Sequence, residues 1–367
     1  MIQMRTEQLA TPALTVDMDT LERNLDRMAR YCRDHNLNLR PHTKTHKTPE
    51  IARMQLARGA AGLTVAKVGE AEVMAQAGAD EILVAFPIYG AGKLARLAAL
   101  ARSCRILVSL DSEAAATEIS KAAAAQGAEI GVLVEFDAGL HRCGLQSGAD
   151  CVRLAHAVDS LPAIKFRGLM MYPGNIWGVE ADREKEVLAV AEVLARTLSA
   201  FEEERIPVGI VSGGSTPSSM FSHKITGLTE IRPGTYVFND MNTFFQGVCS
   251  LEDCAARVVA TVVSTAVPGR AMIDAGSKTF SSDPLSSGPK CGHGRVMEDP
   301  AAKLFKLNEE HGYLDISECR RAFAVGDTVT VIPNHVCTCV NMHDEIFLVR
   351  NGEVEGSWRV AARGKIR

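Results

Sequence analysis

The sequence predicts an α/β protein in which a (β/α)8 TIM-type barrel is followed by a mainly β C-terminal domain. Over the first two thirds of the chain, β-rich runs alternate with alanine-rich helical runs, in about eight or nine units. A doubly wound sheet usually has a glycine-rich loop after its first strand. Here the run Ala13–Met18 is followed by Asp19-Thr20-Leu21, without a glycine, and the barrel is therefore favoured.

Runs of β-branched and aliphatic residues define the predicted barrel strands, and helical spacing defines the segments between them. Leu21, Leu25 and Met28, for example, share one face of a helix over Asp19–His35. Further helices are predicted over Ala91–Ala101, Ser112–Gln126 and Arg183–Glu203. The predicted strands are Ala13–Met18, Asn38–Lys44, Gly62–Lys67, Glu81–Pro87, Arg105–Asp111, Glu129–Asp137, Phe166–Pro173, Val208–Gly213 and Glu230–Phe238.

The last third of the chain changes character. Strand-like runs are separated by turns, and Asn351-Gly352 between two alternating runs is a strong hairpin signal. The serine-, glycine- and proline-rich stretch Ser281–Val296 is interpreted as a long loop over a site or an interface. We predict a barrel domain over residues 1–245 and a β-domain over residues 246–367, with the option that the first ~12 residues join the β-domain.

Composition and charge exclude several classes of function. The 367 residues are 46% hydrophobic and 23% charged with a net charge of −4, which favours neither nucleic acid nor a membrane surface as a partner. Aromatic residues make up only 5%, which disfavours a base-stacking surface. The N-terminal segment has no apolar h-region, and the ten cysteines show no framework spacing. We expect a cytoplasmic protein with reduced thiols that acts on a small molecule.

A basic run ends the second predicted strand and contains Arg40, His42, Lys44, His46 and Lys47. Like charges disfavour the ammonium form of a lysine, and the neutral amine is a nucleophile that can form a Schiff base. Lys44, at the C-terminal end of a barrel strand, is therefore a candidate catalytic residue. A basic surface loop or a phosphate-binding patch remains the alternative.

Two later strand ends carry candidate ligand contacts. Arg142, in the sequence Gly-Leu-His-Arg-Cys-Gly, follows the strand Glu129–Asp137 and could donate to a phenolate or carboxylate oxygen. Tyr172 ends the next strand and could bind a phosphate or pack on a ring. A plain βα turn with a surface arginine, and a core tyrosine, are the structural alternatives.

Glycines mark two candidate phosphate contacts. Gly214 and Ser215 lie at a strand-to-helix junction, where backbone N–H groups, hydroxyls and a helix N-terminus favour an anion. In a barrel, the loops after the late strands are the usual phosphate site. Gly234 and Tyr236 could complete the cradle, although an ordinary strand with a leading turn also explains them.

The predicted β-domain holds a candidate metal site. His335 and Cys337 lie at the end of a predicted strand, where positions i and i+2 project to the same face. Imidazole and thiolate favour Zn²⁺ or a similar metal, and a two-ligand site leaves coordination positions open. Cys339 and His343 are candidate extra ligands. A structural His-x-Cys pair is the alternative, because this spacing alone is not specific.

Taken together, the segments 40–47, 139–144, 212–218 and 333–344 resemble the D-threonine aldolase and D-serine dehydratase family of fold type III, alanine-racemase-like enzymes. The resemblance covers nearly the whole chain, and the joint occurrence of the four segments is far more specific than any one of them. It implies a barrel that binds pyridoxal 5'-phosphate, a β-domain that carries a metal, a D-amino-acid substrate and a homodimer.

The resemblance also implies residue roles. Lys44 would form the Schiff base with the cofactor, Arg142 would bind near its phenolate oxygen, and Tyr172 would line its pocket. His335 and Cys337 would hold a catalytic divalent metal, with zinc preferred over manganese or magnesium because one ligand is a thiolate. The cofactor phosphate would be held by Gly214, Ser215, Gly234 and Tyr236.

The implied reaction is the retro-aldol cleavage of a D-3-hydroxy-amino acid to glycine and an aldehyde. The alternative is a D-serine or D-3-hydroxy-amino-acid dehydratase, which gives a 2-keto acid and ammonia. The Asn-Met-His-Asp segment at 341–344 resembles the bacterial aldolases, although these commonly carry an aspartate where this chain has Cys337. The His-x-Cys pair and Gly-Ser-Thr-Pro-Ser resemble the dehydratases. We favour the aldolase on overall resemblance.

Three other classes fit less well. A racemase or epimerase on this fold needs a second base, usually a tyrosine of the β-domain, and after Tyr236 the sequence offers only Tyr313, in a predicted loop. A non-catalytic pyridoxal-phosphate carrier is normally a single barrel, which the C-terminal third argues against. A metal-only barrel hydrolase could use His42 and His46, but Lys44 between them would then be unexplained.

Overall fold

The structure is a computed structural model that describes residues 4–178, 180–286 and 292–367; the side chains of residues 180 and 181 are not described. The chain forms two compact units. One comprises residues 27–44, 49–234 and 364–367 and is called the barrel unit. The other comprises residues 1–26, 45–48 and 235–363 and is called the β-unit.

Strands and helices are numbered in chain order. The strands are β1 Ala13–Asp17, β2 Asn38–Leu39, β3 Leu63–Val65, β4 Glu81–Val84, β5 Arg105–Leu110, β6 Ile130–Glu135, β7 Ile164–Met170, β8 Ile210–Gly213, β9 Glu230–Ile231, β10 Ala256–Ser264, β11 Arg270–Ile273, β12 Gly294–Val296, β13 Lys303–Leu307, β14 Gly312–Asp315, β15 Thr328–Pro333, β16 Glu345–Arg350 and β17 Glu353–Arg359. The α-helices are α1 Met18–Asp34, α2 Pro49–Ala57, α3 Val68–Ala75, α4 Ala91–Leu100, α5 Glu113–Ala125, α6 Gly148–Ser160, α7 Glu180–Glu203, α8 Met241–Phe245, α9 Ser277–Phe280 and α10 Val336–Val340.

The eight parallel strands of the barrel unit form one sheet, in the order β2-β9-β8-β7-β6-β5-β4-β3. A parallel bridge between His42 and Thr64 joins the two ends of this order. The amide of Thr43 donates to the carbonyl of Thr64 at 2.8 Å, and the amide of Thr64 donates to the carbonyl of Pro41 at 2.9 Å. The sheet is thus closed, and the predicted (β/α)8 barrel with a β-rich C-terminal part is confirmed.

Two of the barrel helices, α5 and α6, begin at serine caps. The hydroxyl of Ser112 accepts from the amide of Ala115 at the start of α5, and Ser147 caps α6 by accepting from the amide of Asp150. Such caps satisfy amides of the first turn that have no partner within the helix. The helix predicted over Ser112–Gln126 therefore matches α5 to within one residue at each end.

A buried ion pair links strands of the barrel unit. Nε of Arg40 lies 2.9 Å from both carboxylate oxygens of Glu230, and the two side chains are 3% and 2% exposed. Arg40 also donates to Glu81 at 2.7 Å, and Ser212 donates to Glu230 at 2.6 Å. Charges taken out of water are tolerated only when they are paired and hydrogen-bonded, so the members of this cluster depend on one another.

The β-unit is built on a nine-stranded sheet in the order β11-β14-β13-β12-β15-β10-β1-β16-β17. Most pairs are antiparallel, whereas β1 runs parallel to β16. Strand β11 also pairs with β10, so six of the strands form a closed ring. The hairpin of β16 and β17 turns at Asn351-Gly352, where both residues have positive φ, as this dipeptide predicts.

Several sequence predictions differ from the structure at strand level. The strand predicted over Asn38–Lys44 ends at Leu39. The strand predicted over Ala13–Met18 is β1, which lies in the β-unit because it pairs with β10 and β16; an apolar run does not itself encode its partners. The strand predicted over Glu230–Phe238 stops at Ile231, since Pro233 has no amide to donate and a 3₁₀ turn follows at Thr235–Val237. Tyr313, expected in a loop, lies in β14.

The division of the chain also differs from the predicted boundary between residues 245 and 246. The β-unit starts at Thr235, and it includes the N-terminal residues as far as Asp26 rather than only the first few. Strand β1 causes this difference. It pairs with β10 of the β-unit, and α1 begins at Met18, directly after β1, so the start of α1 also belongs to the β-unit.

Within the part of the chain that the structure describes, no helix is both long and apolar enough to span a bilayer. The cysteines of this part form no disulfide bonds.

We expect Glu230→Ala to lower the free energy of unfolding by about 3–5 kcal/mol, because the substitution leaves the buried Nε of Arg40 without its carboxylate partner. Urea denaturation of the whole protein would measure this loss. The control is Glu129→Ala, which breaks an ion pair with Arg167 whose side chains are 61% and 45% exposed; its cost should stay below about 1 kcal/mol. Equal losses in the two variants would contradict the structural role of Glu230.

Candidate active site and metal-ligand pair

Lys44 lies just beyond β2, at the C-terminal end of the barrel. The preceding backbone is held by the amide of His42, which donates to the carbonyl of Pro233 at 3.0 Å. The side chain of Lys44 is half-buried, and its Nζ is 5.8 Å from the centre of the Tyr172 ring. The barrel therefore brings together a lysine and a tyrosine that are far apart in the sequence.

The charges around Lys44 are arranged differently from the expectation. Arg40 does not crowd the lysine with an open charge, because its guanidinium is paired with Glu230 and Glu81. Lys47 belongs to the β-unit, where its Nζ donates to the carbonyl of Ala362 at 3.5 Å. Although Arg40, Lys44 and Lys47 are close in the sequence, Arg40 and Lys47 each contact other partners in the structure.

Asp137 shapes the loop that carries Arg142. Its Oδ1 accepts from the amides of Gly139 and His141, each at 3.0 Å, and its Oδ2 lies 2.5 Å from Nδ1 of His141. Burial opposes ionisation of this carboxyl, but the hydrogen bonds outweigh burial and lower the pKa of Asp137. His141 has a left-handed φ of 57°, and the turn delivers the Arg142 guanidinium to 4.8 Å from the centre of the Tyr172 ring.

Tyr172 lies between the two cationic side chains of Lys44 and Arg142. Gly174 allows this position, because a Cβ there would lie 2.3 Å from Cε1 of the tyrosine ring. Arg232 braces the strand end: its guanidinium donates to the carbonyl of Met171 at 2.7 Å and to Oγ of Ser212 at 2.6 Å. Complete burial lowers the pKa of Arg232 to about 10.

The loop after β8 has the features of an anion cradle. Gly214 has a φ of +75°, and a Cβ there would lie 3.0 Å from Cγ2 of Ile231. Ser215 is buried, its amide donates to Oγ of Ser218 at 2.9 Å, and the two hydroxyls are 3.1 Å apart. Hydroxyls and a glycine in this conformation are the groups that bind a phosphate at a strand-to-helix junction.

Gly234 and Tyr236 lie on different sides of the division between the two units. Gly234 is the last residue of a barrel segment and follows Pro233, whose carbonyl accepts from His42. Tyr236 is a buried residue of the 3₁₀ turn Thr235–Val237 in the β-unit. The structure thus collects Lys44, Arg142, Tyr172, Gly214, Ser215 and Gly234 within the barrel unit.

His335 and Cys337 form a contacting pair in the β-unit, but not as residues of a strand. Strand β15 ends at Pro333, and His335 is the N-cap of the short helix α10. The argument that positions i and i+2 share a strand face is therefore wrong for this pair. The imidazole and the Cys337 thiol are nevertheless hydrogen-bonded, and Sγ of Cys337 lies 3.1 Å from Oγ1 of Thr45.

Asp283 is a site residue that the sequence analysis missed. Its Oδ2 lies 2.6 Å from Nδ1 of His335 and accepts from Oγ1 of Thr338 at 3.0 Å. This contact leaves Nε2 of His335 for Cys337 or a metal, as in carboxylate–histidine–metal arrangements. Asp283 lies in the predicted loop Ser281–Val296, of which residues 287–291 are outside the described part. No local spacing signals it, because it is 52 residues from His335.

A second carboxylate holds the start of α10. Asp240 is buried, and its Oδ2 accepts from the amide of Val336 at 3.0 Å. Burial of the imidazole disfavours its protonated form, but the Cys337 thiol, Asp240 and Asp283 outweigh burial and raise the pKa of His335 to about 10.

The two candidate extra ligands lie elsewhere. Sγ of Cys339 contacts the carbonyl of Thr279 at 3.3 Å, and Nε2 of His343 contacts the same oxygen at 3.2 Å. Within the described residues, no group of three or more histidine, cysteine or acidic side chains is arranged to hold a metal. The described donor set is therefore the His335–Cys337 pair, with Asp283 orienting the histidine.

Comparison with known proteins identifies the family. The model of the alanine racemase N-terminal domain matches residues 16–241, and the model of a putative serine dehydratase domain matches residues 255–349. A D-threonine aldolase of an Arthrobacter species is 34% identical over 359 residues, covering 96% of this chain and 93% of the relative. The chain belongs to the D-threonine aldolase and D-serine dehydratase family.

Solved structures of this family have the same architecture. D-threonine aldolase from Filomicrobium marinum aligns with a TM-score of 0.93 and 33% identity, covering 100% of this chain and 99% of that chain. D-threo-3-hydroxyaspartate dehydratase from Delftia sp. HT23 aligns with a TM-score of 0.88 and 30% identity, covering 97% and 99%. A dehydratase of that name has also been solved as a histidine-to-alanine mutant and as a cysteine-to-alanine mutant in the metal-free form.

As a member of the D-threonine aldolase and D-serine dehydratase family, the protein is a pyridoxal-phosphate-dependent lyase. The barrel residues fit such a cofactor on physical grounds. A half-buried lysine, a guanidinium and an aromatic ring lie together, and a glycine- and serine-containing loop suited to a phosphate follows a later strand.

We expect Lys44→Ala to abolish covalent attachment of pyridoxal phosphate, because Nζ of Lys44 is the amine beside Tyr172. Reconstituted protein would be reduced with borohydride, digested and analysed by mass spectrometry for the labelled peptide. Lys67→Ala is the matched control, since Lys67 follows the next strand, β3, and its Nζ lies over the Phe86 ring. Label on a peptide without Lys44 in the wild type would contradict the assignment.

Proposed function

We propose that this lyase uses pyridoxal phosphate and a divalent metal to cleave D-3-hydroxy-amino acids into glycine and an aldehyde. The observation that carries the proposal is the His335–Cys337 pair with Asp283 behind it, in a chain 34% identical to a D-threonine aldolase. An imidazole held by a carboxylate and placed against a thiol is a donor set suited to a metal.

Zinc is the metal that this pair favours. Thiolate and imidazole are borderline-to-soft donors, whereas manganese and magnesium prefer oxygen ligands. The relative solved in a metal-free form carries a cysteine-to-alanine change, two positions after the histidine that was changed in the other mutant. His335 and Cys337 have the same spacing. A two-ligand site leaves coordination positions open, as in catalytic metal sites.

Each cofactor-binding residue predicted from the sequence has a role in this proposal. Lys44 attaches the cofactor through Nζ, Arg142 binds its phenolate oxygen, and Tyr172 packs beside its ring. Gly214, Ser215, Gly234 and Tyr236 hold its phosphate. When bound, the cofactor supplies an electron sink for the electron pair left on Cα.

Two reactions share these parts, and they differ in which proton is removed. In the aldol cleavage the β-hydroxyl loses its proton, the Cα–Cβ bond breaks, and glycine and an aldehyde result. In the dehydration Cα loses its proton and the β-hydroxyl leaves, and hydrolysis of the product gives a 2-keto acid and ammonia. A bound divalent metal supplies a Lewis acid for the β-hydroxyl in either case. The spacing of His335 and Cys337 supports the dehydratase as the second candidate.

The proposal includes two features of the intact enzyme. The first is a homodimer, as implied by the family resemblance. The second is a cytoplasmic location, which is supported by the absence of disulfide bonds among the described cysteines.

The deciding experiment is an NMR analysis of the products from D-threonine, with pyridoxal phosphate and either Zn²⁺ or Mn²⁺ added. We expect glycine and acetaldehyde in equal amounts. 2-Oxobutyrate and ammonia would establish the dehydratase instead, and L-allothreonine, the product of inversion at Cα alone, would establish an epimerase. D-serine and D-3-hydroxyaspartate, tested in the same way, would define the β-substituent that the enzyme accepts.

We expect Cys337→Ser to reduce bound zinc and activity at least tenfold while the cofactor remains attached, because the thiolate is lost and Lys44 is unchanged. Asp283→Asn should weaken zinc binding by about 10–100-fold, since His335 loses its orienting carboxylate. Elemental analysis after dialysis against zinc would measure both effects. Cys319→Ser, a half-buried cysteine of the same unit, is the control. Full activity of chelator-treated protein would contradict a catalytic metal.

A further inference from the structure

Glu135 ends β6 with a carboxyl group buried inside the barrel. Two residues earlier on the same strand face, Leu133 packs with Leu83, Leu107 and Met170 from neighbouring strands. This cluster contains strand residues and no helix residues, which places it on the inner face of the sheet. Glu135 is 4% exposed. An acidic side chain is therefore buried next to the apolar cluster that contains Leu133.

One oxygen of this carboxyl has no protein partner. Among the described residues, Oε2 of Glu135 is a buried atom without a hydrogen bond. The side chain lines a cavity of about 10 Å³ together with Arg142, Cys143 and Tyr172. That is about the space for one water molecule. A buried carboxylate oxygen without a partner costs free energy, which calls for an explanation.

The charged neighbours of Glu135 indicate which side chain its carboxylate interacts with. Burial and the charge of Asp111 raise the pKa of Glu135, while Arg232, Arg142 and a hydrogen bond with Ser109 oppose them. Arg232 already donates to Met171 and Ser212. Arg142 is the cation that lines the same cavity. Its loop is held by Asp137, which accepts from the amides of Gly139 and His141, and by Asp111, which accepts from the amide of Gly144 at 3.0 Å.

We propose that Glu135 is a positioning residue that fixes the guanidinium of Arg142 for the cofactor, directly or through the single water that the cavity admits. A guanidinium has donors on more than one edge, so it can bind a carboxylate with one edge and a phenolate oxygen with another. The inference rests on the proposed role of Arg142 and adds a residue that neither the motifs nor the family resemblance supplied.

The test is a titration of cofactor-free protein with pyridoxal phosphate, followed by absorbance, for a double-mutant cycle. Glu135→Gln keeps the shape of the side chain and removes its charge, and it should weaken cofactor binding about tenfold. Glu135→Asp should recover part of this loss. In an Arg142→Ala background, Glu135→Gln should have no further effect, since its partner is gone. Glu129→Gln, at an exposed ion pair, is the control and should bind as the wild type does.

Three outcomes separate the possible failures. Unchanged cofactor affinity in Glu135→Gln would overturn the inference. An equal loss with and without Arg142 would also overturn it, because Glu135 would then act independently of Arg142. Failure of the wild type to bind pyridoxal phosphate would instead overturn the cofactor assignment on which the inference rests. Thermal unfolding of each cofactor-free variant would show whether a loss of affinity reflects a loss of fold.

Discussion

Backbone hydrogen bonds on both sides of β2 hold the segment that ends in Lys44. Thr43 donates to Thr64 on one side, which closes the barrel, and His42 donates to Pro233 on the other. A backbone held by two neighbours cannot shift without breaking the sheet. The position of the lysine is therefore a property of barrel closure, and the other barrel residues of the site are placed by the neighbouring strands of the same sheet.

Several buried charged side chains of the barrel contact each other or the ends of strands near the site. Arg40 and Glu230 neutralise each other, Arg232 donates to Ser212 and to the carbonyl before Tyr172, and Glu135 lies beside Arg142 in one cavity. Burying these groups is unfavourable when any one of them is left alone. The arrangement is understandable if it provides rigid positions for groups that must bind a charged cofactor.

The metal-ligand pair is organised by the same principle in the β-unit. Asp240 holds the amide of Val336, and Asp283 holds the ring of His335. These two carboxylates fix the N-terminal turn of α10, which places an imidazole against a thiol. Such a pair serves an aldolase and a dehydratase equally, because both reactions act on the β-hydroxyl of the substrate. The difference between them lies in the proton that is removed first, and that is decided by groups around the substrate.

The sequence by itself determined the repeating βα pattern, the strand-end motifs and hence the family. It predicted Lys44, Arg142 and Tyr172 as site residues because each follows an apolar strand run, where parallel strands present ligands. It did not determine that Ala13–Asp17 joins the second sheet, that His335 caps a helix, that Asp283 contacts His335, or that Glu135 and Arg142 line one cavity. Strand pairing and contacts across 52 residues leave no periodicity in the chain, so only the tertiary structure decided them.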